Sequence, residues 1–234
     1  MHDAIERYWR ELVGAMEAMP LSLLSRAVDA LLDCHWRGGT VFAVGNGGSA
    51  ATASHFACDL AKGTLTQGVP AFRVVALTDN VPLLTAWAND TSYDRVFAAQ
   101  LAALVRAGDA LVAISASGNS PNVLASAQVA RQAGATVIAL TGQSGGALRD
   151  LADLTIRVPT PSIEQVEDAH LMIAHSMCVT LRGQLALRAP RRATSAGTLP
   201  RLGRRRRPIT IVERAEPPLL AGELDPPEAE AVGG

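Results

Sequence analysis

Aromatic residues make up only 4% of this 234-residue chain, and lysine occurs once, at Lys62. A hydrophobic core must therefore be built from Ala, Val, Leu and Ile. The near-exclusive use of arginine as the cation reads as coding bias, not chemistry. Cysteine occurs three times, at Cys34, Cys58 and Cys178. That number is too small and odd for a disulfide scaffold. No apolar run approaches the roughly 20 residues of a membrane span. The opening MHDAIERYWRELVG holds acids and no apolar h-region, so no signal peptide is evident. These absences predict a soluble, cytoplasmic protein with no membrane partner. A formal charge of −1 argues against a dedicated nucleic-acid binder.

What is present is apolar: 48% of residues are hydrophobic against 18% charged, which excludes disorder of the whole chain. The length fits one α/β domain of roughly 180–200 residues with some extra chain. Ile5, Trp9, Leu12, Val13 and Met16 recur at helical spacing, and Leu23, Leu24, Ala27, Leu31 and Leu32 repeat the pattern after Pro20. Short β-rich runs follow at 41–44, 72–78, 110–116, 136–142 and 154–158. Helical segments are expected near 49–62, 93–106, 121–133 and 145–151, with a last helix over 163–188. Continuous apolar strands alternating with helices predict a doubly wound, five-stranded parallel sheet covered on both faces. Residues 1–188 form this domain. Residues 189–234 hold eight Arg and six acids in Pro- and Gly-rich sequence without a period, including the run Arg204–Arg207. They are expected to be a disordered, solvated tail.

Open α/β sheets bind ligands at the carboxyl ends of their strands. Two loops there are unusual. Gly45-Asn46-Gly47-Gly48-Ser49 follows the first strand and opens a helix, where backbone approaches a ligand closely and free N–H groups face an anion. A plain βα turn explains it about as well. Ser115-Ala116-Ser117-Gly118-Asn119-Ser120 follows the third strand. Ser120 before Pro121 reads as a helix cap, but capping needs one hydroxyl and three are present. The excess points to phosphate; without a lysine it is not a Walker loop.

The words VGNGGSAATASHFACDL, WANDTSYDRVF, ISASGNSPNVL and QVEDAHLMIAHSMC, in this order, resemble the sugar isomerase (SIS) fold and more closely its phosphoheptose isomerase branch. The resemblance covers residues 1–188. It implies an αβα sandwich, a homotetramer with active sites shared between subunits, and isomerisation of sedoheptulose 7-phosphate to D-glycero-D-manno-heptose 7-phosphate. Position by position it implies Ser115, Ala116, Ser117 and Ser120 around the phosphate. Asn46, Gly47, Gly48, Ser49, Asn89 and Asp90 would line the sugar. A divalent metal, zinc by preference, would take His55, Asp59, Glu167 and His175, with Asp59, His175 and Glu167 available for acid–base work. His55 and Asp59 stand one helical turn apart and so share a face.

The chain departs from the family twice: Asp59 stands where Glu is usual, and Glu167 where Gln is. Both keep an oxygen ligand. Asp168 and Glu164 either orient His175 or form a solvated stripe. His170 is expected to be structural, His2 and His35 lie outside every matching word, and Cys58 and Cys178 are expected to be buried packing residues. SIS relatives also include sugar-phosphate-binding regulators and a tetrameric protein that binds a replication initiator. A retained metal site separates the enzyme from these.

Overall fold

The computed structural model describes residues 2–189. Helices α1 (His2–Glu17) and α2 (Leu21–Trp36) precede β1 (Thr40–Val44) and α3 (Gly48–Cys58), which continues into a π turn, Asp59–Gly63. Then come β2 (Arg73–Ala76), α4 (Val81–Asp90), a 3₁₀ turn at Tyr93–Arg95, α5 (Val96–Ala102), β3 (Ala110–Ser115) and α6 (Pro121–Gln132). The chain closes with β4 (Thr136–Thr141), the short α7 (Leu148–Leu151), β5 (Leu154–Arg157) and α8 (Ile163–Arg188). The expected five strands are all present. The tail reading falls, but for Ala189, outside the described residues.

The strands lie in the order β2-β1-β3-β4-β5, every neighbouring pair parallel. From β1 the chain moves to one edge at β2 and then returns past β1 to β3. The strand order therefore reverses between β1 and β3, and open α/β sheets bind their ligands beyond the carboxyl ends of the strands at such a point. Both unusual loops emerge there.

The pleat sends alternate residues to opposite faces. Val41, Ala43, Val112, Ile114, Ile138 and Leu140 pack into one core with Leu31 of α2, Phe56 of α3 and Ile173 and Leu181 of α8. Phe42, Val44, Leu111, Ala113, Val137 and Ala139 pack into the other with Phe97, Val123, Ala127 and Leu148. Every residue of β3 is buried. Each fully buried Leu or Ile contributes about 1.5–3 kcal/mol, so the central strand anchors both layers.

The structure differs from the sequence reading in its helices. Helix α4 was not expected; its start is marked by Asn80, whose side chain accepts from the Leu83 N–H at 3.1 Å, with Pro82 in the first turn. None of its residues is fully buried, and its apolar face is short: only Leu84, Trp87 and Ala88 pack, partly covered, against the second core. The segment expected as one helix over 93–106 is a 3₁₀ turn and α5, and α7 spans four residues where seven were expected. Gly145 and Gly146 take positive φ instead of helical angles.

Candidate active site

The serine loop turns tightly beyond β3. Ser115 Oγ lies 3.1 Å from Ser120 Oγ and 3.5 Å from Ser117 Oγ, so three hydroxyls converge on one spot at the start of α6. Ser120 occupies the cap position, but its hydroxyl makes no cap hydrogen bond. It faces Ser115 instead, which corrects the capping reading and leaves the hydroxyl turned to the loop's interior. The Gly118 N–H donates to Ser115 Oγ at 3.2 Å and the Asn119 N–H to Ser117 Oγ at 3.1 Å. The loop after β4 props this turn: Leu148 N–H donates to Gly118 O at 2.9 Å, and Ala147 N–H to Asn119 Oδ1 at 2.9 Å. Gly118 has φ +65, and a Cβ there would stand 2.1 Å from Gly145 O, so no other residue fits. Ala116 serves the scaffold, its carbonyl accepting from the Gly142 N–H at 2.9 Å.

On the neighbouring strand, the glycine loop is held by a pair of amides. Asn46 Nδ2 donates to Asn122 Oδ1 at 2.8 Å, Asn122 Nδ2 returns a bond to Asn46 Oδ1 at 2.9 Å, and Tyr93 Oη donates to the same oxygen at 3.0 Å. Asn122 is buried in the first turn of α6, so this pair ties the glycine loop to the helix that the serine loop opens. Sequence reasoning missed both Asn122 and Tyr93. Asn89 and Asp90 stand exposed at the end of α4, bonded to each other at 3.0 Å. Ser49 is buried, with its backbone against Gly45.

Helices α3 and α8 run side by side and meet at three levels. Gly48 meets Glu167, His55 meets His175, and Gly63 meets Arg182. Each step is seven or eight residues, about two turns. At the first level Glu167 lies so close that a Cβ on Gly48 would be 2.4 Å from its Oε2. At the second level His55 Nε2 and His175 Nε2 stand 2.9 Å apart. Asp59 Oδ2 lies 3.6 Å from His55 and 3.7 Å from His175. Two atoms bound to one tetrahedral ion at about 2.1 Å are about 3.4 Å apart. The three edges scatter around that value, and two imidazoles with one carboxylate is a donor set suited to zinc. Both imidazoles are half exposed, so the trio opens outward. Glu167 does not join this trio here: its carboxylate lies against Gly48, two turns back along α3 from His55.

The remaining titratable groups sort themselves by contact. Asp168 accepts from Tyr8 Oη of α1 at 2.5 Å, and that bond together with the nearby acid pushes the phenol up to about 12. It neither orients His175 nor forms a bare stripe. Glu164 accepts from the Ser162 hydroxyl at 2.9 Å. His170 is fully buried, and burial holds its imidazole down at about 4; the Thr141 backbone pulls the other way without a well-formed hydrogen bond. Cys178 is buried, and desolvation with the adjacent Asp59 charge raises its thiol to about 12. Cys58 is exposed, contrary to expectation: the face of α3 it occupies turns from the core. His35 is buried against Phe72, ring centroids 4.4 Å apart.

Comparison with known proteins agrees with this layout. The sequence model of the SIS domain family matches residues 6–142. The phosphoheptose isomerase of Mycobacterium tuberculosis (strain ATCC 25177 / H37Ra) is 45% identical over 168 residues, 71% of this chain and 84% of that protein. The phosphoheptose isomerase of Shewanella sp. (strain ANA-3) is 38% identical over 169 residues, 71% and 85%. The solved phosphoheptose isomerase of Neisseria gonorrhoeae superposes with a TM-score of 0.73 at 34% identity, covering 78% of this chain and 98% of that one.

Proposed function

The chain belongs to the SIS domain family, in its phosphoheptose isomerase branch, and on that premise we propose that it interconverts sedoheptulose 7-phosphate and D-glycero-D-manno-heptose 7-phosphate. The observation that carries this reading is the trio His55, Asp59 and His175 in a chain that also gathers three hydroxyls in one loop. A phosphate-binding regulator needs the loop but has no use for the trio.

Aldose–ketose isomerisation moves one proton between C1 and C2 and another between their oxygens, through an enediol, with no net redox change. Ser115, Ser117 and Ser120 hold the phosphate with their hydroxyls and the helix terminus beside them. Asn46, its amide fixed by Asn122 and Tyr93, lies beside the sugar with the backbone of Gly47 and Gly48. His55, Asp59 and His175 would hold a divalent ion, zinc by its donor set, which when bound polarises the substrate oxygens. Asp59, through Oδ1, takes the carbon-bound proton; with Nε2 turned to the ion, His175 serves the proton on oxygen through Nδ1. Glu167, outside the trio and beside Gly48, accepts hydrogen bonds from sugar hydroxyls and fixes the reacting carbons in place.

The same proposal includes a homotetramer working in the cytoplasm. Its support is the exposed apolar stripe Ile5, Trp9 and Val13 on α1, with Met172, Val179 and Leu187 on α8. In such an assembly the exposed Asn89 and Asp90 face a neighbouring subunit's sugar. Among the described residues no helix is long and apolar enough to cross a membrane. The test is chelation: a metal-stripped chain should lose turnover of sedoheptulose 7-phosphate and regain it with added zinc. Full turnover in the metal-free chain refutes the proposed site.

A further inference from the structure

We infer that Arg182 and Thr64 are positioning residues for the Asp59 carboxylate, fixing through the π turn the orientation in which it faces His55 and His175. The inference rests on the trio being a metal site.

Asp59 is the first residue of the π turn. Its carbonyl accepts from the Thr64 N–H at 3.1 Å, five residues on, so the turn is one residue wider than in an α-helix. Such turns are rare and costly enough that something must hold them open. Two groups do so here. Thr64 is 1% exposed, and its hydroxyl donates to Leu60 O at 2.7 Å, closing the turn from inside. Arg182 reaches from α8, its Nη1 donating to Gly63 O at 3.3 Å, and so clamps the turn's last carbonyl.

The clamp bears directly on the carboxylate. A Cβ on Gly63 would stand 3.7 Å from both Asp59 Cβ and Oδ1, so one oxygen of Asp59 lies over Gly63 while the other faces the imidazoles. Moving Gly63 would move the backbone that flanks the carboxylate. Arg182 also stands two turns beyond His175 on the same helix. A single rigid element therefore supplies one member of the trio and grips the turn that aims another. The arrangement suits an aspartate, whose side chain has fewer torsions and less reach than a glutamate, so its aim is set by the backbone beneath it.

Arg182 is exposed, so substitutions there should leave the fold intact. The test uses the full chain and zinc alone, titrated against a competing chromophoric chelator, with kinetics in parallel. Arg182→Met removes the donor and should weaken zinc binding about tenfold or more, as loss of outer partners of metal ligands does. It should lower kcat and leave KM for the phosphosugar within about twofold. Arg182→Gln keeps a donor without the charge and should restore most of the affinity. Thr64→Val should behave as Arg182→Met does, and Thr64→Ser as the unaltered chain. If Arg182→Met and Thr64→Val bind zinc as tightly as the unaltered chain, the positioning role is overturned and the metal site stands. If the unaltered chain holds no zinc, both fall together.

Discussion

Gly48→Ala separates the placement of Glu167 from the stability of the fold. Gly48 opens α3 with ordinary helical φ, so alanine meets no backbone strain there, and alanine is the better helix former by up to about 1 kcal/mol. The added methyl carbon, however, would lie 2.4 Å from Glu167 Oε2 and 2.6 Å from Oε1. Ordinary contact needs about 3.5 Å, so the carboxylate must retreat by about 1 Å. It sits at the end of a flexible side chain and will move at little energetic cost, leaving the helices in place. A displacement of that size in a group that positions substrate costs about a hundredfold in rate, equivalent to about 2.7 kcal/mol of barrier. The expected result is a melting temperature unchanged or slightly raised, with kcat lower by about two orders of magnitude. In a Glu167→Ala background the methyl has nothing to displace, and Gly48→Ala should then add almost nothing, a non-additivity that marks two residues in contact. Wild-type turnover in Gly48→Ala would refute the role given to Glu167.

Ser120→Ala should raise KM strongly while the chain melts as before, because a phosphate oxygen loses a charge-assisted bond of about 1.5–3 kcal/mol and no cap bond is lost; an unchanged KM would remove Ser120 from the phosphate site. Asn122→Leu should unhook Asn46, leaving its half-buried amide only the Tyr93 bond; two hydrogen bonds of about 0.5–1.5 kcal/mol each are lost, read as a stability loss by chemical denaturation together with a raised KM. A KM that stays put while stability falls would confine Asn122 to packing. His170 is neutral in the fold and titrates near 4, below the unfolded value of 6.5, so the unfolded chain takes up its proton first on acidification. Its contribution is intact above pH 6.5 and lost progressively down to pH 4, about 3 kcal/mol in all; His170→Leu should flatten denaturation midpoints measured between pH 7 and 5, and an unaltered slope would contradict the burial argument.

The sheet was legible because strands buried on both faces need continuous apolar runs, and β1, β3 and β4 have them. The two loops were legible because glycine and clustered hydroxyls are locally unusual. Helix α4 was hidden because its core-facing side is only Leu84, Trp87 and Ala88, each partly covered, although Asn80 and Pro82 mark its start. Asn122 and Tyr93 were hidden for a different reason: each acts on Asn46 from a distant segment, and no local pattern reports a contact across 76 or 47 positions. The π turn is equally silent, since DLAKG reads as ordinary helix until Arg182 closes on it. Ser120 shows the converse error. Its position at a helix start is that of a cap, yet the neighbouring hydroxyl of Ser115 competes for it and wins.

The reaction itself offers the most direct test. The chain is incubated with sedoheptulose 7-phosphate in deuterated water and followed by proton NMR. The account predicts new anomeric signals of the aldose, with deuterium entering at C2 as the enediol exchanges its proton with solvent. A sugar phosphate that binds, by its effect on the melting temperature, yet gives no aldose in the presence of zinc would contradict it and identify a binding protein in place of an isomerase.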